Sequence, residues 1–114
     1  MKSNEQSGNL FEGIPNVIPE ELVSLLHESP NISIRRIISQ GQSSPASGWY
    51  DQADNEWVMV VKGEAILAFE EEEELHMREG DYTFIPAHRK HRVTWTDDTR
   101  ETVWLAVHFW AAEA

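Results

Sequence analysis

"EWVMVVKGEAILAFE", residues 56–70, decides the fold. Its first part is an apolar run that ends in a Lys62-Gly63 turn, and "EAILAFE" reads as the partner of that run. Two short extended segments joined by a tight turn are a hairpin signal. The same signal recurs outward in both directions. Upstream, "ISIRRIIS" (32–39) is β-branched and extended, and "QGQSSPASG" (40–48) is a loop by its Gly, Ser and Pro content. Downstream, "ELHMREGD" (74–81) alternates and stops at Gly80-Asp81. "YTFIPAH" (82–88), "HRVTWT" (91–96) and "TVWLAVHFW" (102–110) complete the series, with "DDTRE" (97–101) as the turn before the last. Short strands at regular intervals predict an all-β, antiparallel barrel or sandwich. There is no βαβ alternation, internal repeat or heptad pattern.

The N-terminal part reads differently. "MKSNEQSG" is polar enough to be a loose tail. In "NVIPEELVSLLHESPN" (16–31), Pro19 and two glutamates open an apolar run of helical spacing (Leu22, Leu25, Leu26), and Pro30 closes it. This predicts one short helix near residues 20–27. The expected organisation is a tail and helix over 1–31 and a β-barrel over 32–114.

Composition narrows the partners. At 114 residues the chain holds one domain, and 40% apolar residues with five tryptophans argue for a packed core. A formal charge of -11 repels nucleic acid and anionic membrane surfaces. With no cysteine the fold rests on its core or on an interface. No apolar run nears membrane-spanning length, and no signal peptide is evident, so a cytoplasmic location is expected. The run Glu70–Glu74 reads as a solvated hairpin tip.

Chemistry concentrates on two residues. Glu56 opens an apolar strand and His91 opens another, 35 positions later. A carboxylate and an imidazole brought together from two strands can bind a first-row divalent metal. The surrounding residues sharpen this. Gly63 follows Glu56, and Gly80, Pro86 and His91 follow one another at fixed intervals in "GDYTFIPAHRKHRV".

With "EWVMVVKG", that segment resembles the two motifs of a small single-domain cupin. The resemblance spans roughly residues 35–110. It implies an antiparallel jelly-roll β-barrel with a metal-binding pocket in its mouth, and Glu56 and His91 match the family's glutamate and second-motif histidine. It also implies a divalent ion (Zn, Mn, Fe or Ni) and a small-molecule ligand. The first motif departs from the family. "GWYDQADNE" (48–56) has no histidine where two are expected; Tyr50 and Gln52 take those places with one spacing, Trp49 and Asp51 with the other. Strand parity favours Gln52, and anionic ligand chemistry favours Asp51. His88 stands where the family has glycine, and a turn after Pro86 would bring it towards His91.

Glu56 is therefore the candidate catalytic base as well as a metal ligand, and Asp51, Gln52, His88 and His91 are the other candidate ligands. Trp49 and Tyr50 are expected to cap the mouth. Trp95 shares parity with His91 and Val93 and is expected in a pocket wall. Trp57, next to Glu56, should face the other way into core or an interface. His108 shares parity with Trp104 and Ala106; a packing role is expected for it. Arg89, Lys90 and Arg92 are expected at the pocket rim, either steering a small anion or pairing with neighbouring acids. Two functions fit: a metal-dependent enzyme acting on a small anionic substrate, or a module that binds a small molecule or metal without turnover. Pairing as a homodimer is expected by analogy, with "ISIRRIIS" and exposed aromatics as the surface.

Overall fold

Alternation of buried and exposed side chains along short segments is what a two-layer β-structure requires. The computed structural model describes residues 7–44, 48–70 and 74–111. Among them are eight strands: β1 (Leu22–Ser29), β2 (Ile32–Ser39), β3 (Asn55–Lys62), β4 (Ala65–Phe69), β5 (Leu75–Met77), β6 (Tyr82–Ile85), β7 (His91–Thr96) and β8 (Thr102–Phe109). A five-stranded sheet has the order β1-β2-β8-β3-β6, and a three-stranded sheet the order β5-β4-β7. Every pairing is antiparallel. The two sheets face each other over Val58, Val60, Leu67, Phe69, Met77, Ile85 and Trp104. The all-β barrel read from the sequence is the architecture found. Residues 1–6 of the expected tail, 45–47 of the loop and Glu71–Glu73 of the acidic run lie outside the described residues; Glu70 and Glu74 are exposed.

The helix expected over residues 20–27 is corrected by the structure: this segment is β1. Ten residues between Pro19 and Pro30 are too few to hold a helix on their own. A two-residue turn at Pro30-Asn31 returns the chain alongside β2, so that Ser29 faces Ile32 and Leu22 faces Ile38. The register slips between Leu25 and His27, leaving Leu26 as the extra residue of a bulge. That bulge breaks the alternation and produces the spacing that resembles a helical stripe. The barrel sheet therefore begins at Leu22.

One row of cross-strand partners matters for function. Ser33 on β2 faces His108 on β8, His108 faces Glu56 on β3, and Glu56 faces Ile85 on β6. Directly opposed residues share a face, so this row points into the barrel at one end.

The other end is shut by a glycine turn and by charge pairs. Gly63 has φ +96°, and a Cβ there would lie 2.5 Å from Thr102 Oγ1, 2.6 Å from Thr102 Cα and 2.8 Å from the Glu101 carbonyl oxygen. Only glycine fits that backbone contact. Beside it, Lys62 Nζ meets Glu101 Oε1 at 2.7 Å and Arg100 Nε meets Asp97 Oδ2 at 3.1 Å. His76 pairs with Glu64.

Candidate functional site

The open end of the barrel holds a cavity of about 590 Å³ between the sheets, within the size range of small-molecule sites. Its floor is apolar (Val58, Leu67, Ile85, Val93, Trp104), and its polar lining includes Gln52, Glu56, His91, His108 and Arg35. Pro19, Glu20 and Glu21 form part of the wall ahead of β1.

Glu56, His91 and His108 are buried, each less than one-tenth exposed. His91 Nε2 lies 3.9 Å from Glu56 Oε1, and His108 Nε2 lies 3.8 Å from Glu56 Oε2. One carboxylate thus presents each oxygen to a different imidazole. The opposite ring nitrogens are both engaged. His91 Nδ1 is 2.8 Å from the Arg89 carbonyl oxygen. A carbonyl only accepts, so Nδ1 carries the proton. Asp54 Oδ2 stands 3.4 Å from His108 Nδ1 and favours a proton there too. In the neutral rings both Nε2 atoms are then bare acceptors directed at a buried carboxylate. The Gln52 amide, 3.4 Å from Glu56 Oε1, is a weak donor to it.

Acceptors turned on one another in this way call for a proton donor, a water or a cation among them. The donor chemistry fits a late first-row divalent ion. Nδ1 held by a carbonyl or carboxylate is the usual support of a metal-bound histidine. The donors are spread somewhat wider than a closed ligand set, and among the described residues no group of three or more His, Cys, Asp or Glu already stands at ligand spacing. The observed separations remain below twice a metal–donor bond of about 2.1 Å.

Gln52 is brought beside Glu56, with a second contact from its Nε2 to Asp54 Oδ1 at 3.1 Å. Asp51 is not brought in. Its carboxylate faces outward and meets His88 Nδ1 at 2.7 Å, and the two residues fasten each other at the rim. His88 is exposed, with φ 66°, a left-handed conformation that histidine tolerates better than most residues. Tyr50 lines the cavity, and its ring lies 5.7 Å from that of His91.

Trp49 and Trp95 lie outside the cavity lining. Trp49 packs under the Arg92 guanidinium at 4.7 Å. Trp95 faces outward against His76. Its parity with Val93 is undone because Ile66 pairs with Trp95 while Leu67 pairs with Val93, leaving Thr94 as a bulge. Trp57 is on the outer face, against Tyr82. The basic cluster also stays out of the cavity lining: Arg89 stacks on Phe69, Arg92 on Trp49, and Lys90 approaches Glu70. The residue that sequence reasoning undervalued is His108. Parity along β8 gives it the face of Trp104 and Ala106, but only the register against β3 puts it opposite Glu56.

Residues 36–108 match the cupin domain. The chain belongs to the cupin family. Among solved structures, a protein from Ralstonia eutropha JMP134, assigned by inference as a mannose-6-phosphate isomerase, is 48% identical. The match has a TM-score of 0.89 and covers 92% of this cupin and 98% of that chain. An RmlC-like cupin with a double-stranded β-helix fold from Methanocaldococcus jannaschii shares 18% identity, with a TM-score of 0.66 over 84% of this chain and 85% of that one. A DMSP lyase from Ruegeria pomeroyi DSS-3 shares 19% identity and a TM-score of 0.67 over 82% and 49%. These last two show the fold alone. No curated protein matches this cupin in sequence.

Proposed function

We propose that this cupin holds a divalent cation between Glu56, His91 and His108 and binds a small anionic molecule in the cavity beside it. The observation that supports this most is the pair of imidazoles whose Nδ1 atoms are occupied and whose Nε2 atoms face the two oxygens of one buried carboxylate. When bound, the cation would polarise an oxygen of the ligand. Glu56 is its anionic anchor, His91 and His108 its neutral donors, and Gln52 steadies Glu56 through the amide N–H. Asp51 and His88, paired with each other, act at the rim.

The reaction class is drawn from the 48%-identical relative: isomerisation of a small sugar phosphate. The other reading is a binding module without turnover. Tyr50 and Gln52, at positions where cupins carry histidines, favour it, since neither adds an imidazole to the centre. The homodimer remains part of the proposal; the apolar outer row of Ile34, Val107, Trp57 and Phe84 is the surface a second copy would cover.

Elemental analysis of protein purified without a nickel column tests the cation. Wild type should carry about one ion per chain, and Glu56→Ala combined with His91→Ala should carry none while the β-structure persists by circular dichroism. Metal stoichiometry unchanged in the double variant would refute the assignment. Turnover of aldose and ketose phosphates by the metal-loaded protein then separates enzyme from binder.

A further inference from the structure

With 20 acidic residues to nine basic ones, the cations of this chain have carboxylates in excess to pair with. Lys62, Arg78, Lys90 and Arg100 each approach a carboxylate. Arg36 donates to the Leu10 and Glu12 carbonyl oxygens and to Ser24. Arg35 is different. Its Nε donates to Ser33 Oγ at 3.1 Å, and among the described residues no carboxylate lies within ion-pair distance of its guanidinium. Arg35 is partly buried and lines the cavity. It also lines an adjoining depression with Gln52, Asp54, His108 and Trp110. A half-desolvated guanidinium between two hollows, in a molecule with a formal charge of -11, lacks an anion from within.

We infer that Arg35 is the residue that recognises the anionic group of the ligand, a phosphate or a carboxylate. This rests on reading the cavity as the ligand site. The geometry is favourable. The Ser33 bond uses the Nε edge and fixes the plane of the guanidinium, leaving the N–H groups of Nη1 and Nη2 for a bidentate contact. Arg35 sits one inward step along β2 from Ser33, which faces His108, and it faces Ala106 and, beyond that, Val58. Two strand spacings and one two-residue step place its Cα about 12 Å from that of Glu56. Both side chains reach into the gap and shorten it to the length of a small phosphorylated or carboxylated molecule. The anion would lie at one end, with its reactive oxygen near Glu56 and the two histidines. Arg89, Lys90 and Arg92, the obvious basic cluster in the sequence, are turned to Phe69, Glu70 and Trp49 instead.

The test is calorimetric titration of inorganic phosphate, and separately of acetate, into the full chain as purified, with metal content measured in each sample. Wild type should bind at least one anion saturably. Arg35→Gln should weaken that binding by about tenfold or more, Arg35→Lys should recover part of it, and Arg89→Gln should leave it unchanged, all with wild-type metal content. Preference for phosphate over acetate assigns a phosphoryl ligand, and the reverse assigns a carboxylate. Wild-type affinity in folded Arg35→Gln, or no anion binding by wild type, would overturn the inference. If Glu56→Ala with His91→Ala keeps its metal while phosphate binding still depends on Arg35, the cation assignment falls and the role of Arg35 stands. If that double variant loses phosphate binding and Arg35→Gln does not, the anion sits at the cation and the inference is wrong.

Discussion

The two ends of this barrel use the same residue types to opposite effect. At the Gly63 end, acids and bases are matched: Lys62 with Glu101, Arg100 with Asp97, and His76 with Glu64. At the Glu56 end, acceptors face acceptors across 3.8–3.9 Å, and Arg35 has a hydroxyl where a carboxylate would be expected. A matched end completes the fold by itself. An unmatched end leaves donors and acceptors for a ligand, and this contrast is what supports placing function there.

The comparison can be broken most forcefully at the closed end. Gly63→Ala combines a left-handed φ with a Cβ driven into the Thr102 and Glu101 backbone, and should cost about 3 kcal/mol of stability in urea denaturation. A loss under about 1 kcal/mol would mean the turn relaxes freely. At the open end, Asp54→Asn removes the charge beside His108 Nδ1 without touching the three donors. It should lower metal affinity roughly 10- to 100-fold and leave the denaturation midpoint of the metal-free protein nearly unchanged. An unaltered metal affinity would take Asp54 out of the centre.

The smallest effect is the difference in pH response. The Lys62 hydrogen bond holds the Glu101 carboxyl below the ordinary glutamate value of 4.5. Its stabilisation is present above that value and disappears as pH falls through the lowered one. Glu21 has surface open to the cavity, yet the atoms packed around it push its carboxyl above 4.5, against a weaker opposing bond from Ser39. Its folded form is favoured below 4.5, and that advantage is lost as pH rises through the raised value. Glu21→Gln should therefore stabilise slightly at neutral pH and not in acid, while Glu101→Gln should destabilise slightly at neutral pH and not in acid. Both substitutions partly face water, so the shifts will be modest. Parallel denaturation midpoints of the two variants across the acid range would erase the contrast.

Much of the barrel was legible because strands and turns are local. Alternation and Gly63, Gly80 and Pro86 marked β3 to β8, and Glu56 and His91 stood out through their spacing from those turn residues. What escaped was non-local. β1 read as a helix because a bulge at Leu26 shifts its apolar residues off period two, and only pairing with β2 overrides that. Trp95 was misplaced by one unpaired residue. His108 and Arg35 gain their meaning from the strands beside them, and register between distant strands leaves no mark in either strand's own pattern. The basic run at 89–92 drew attention through its sequence density, whereas a single arginine in "ISIRRIIS" faces the cavity.

The Thr94 bulge has a genetic consequence. Because Trp95 already pairs with Ile66 and Val93 with Leu67, losing the codon for Thr94 would join two segments whose partners and facing are already those of a regular ladder. Thr94 gives up only long hydroxyl contacts to Ile66 and Glu74 at 3.4 Å. A codon lost at Val93 instead would draw Thr94 into the inward place opposite Leu67 and leave a hydroxyl against the apolar floor. Within β7, position 94 is where the length of the gene can change by one codon with the reading of the sheet preserved.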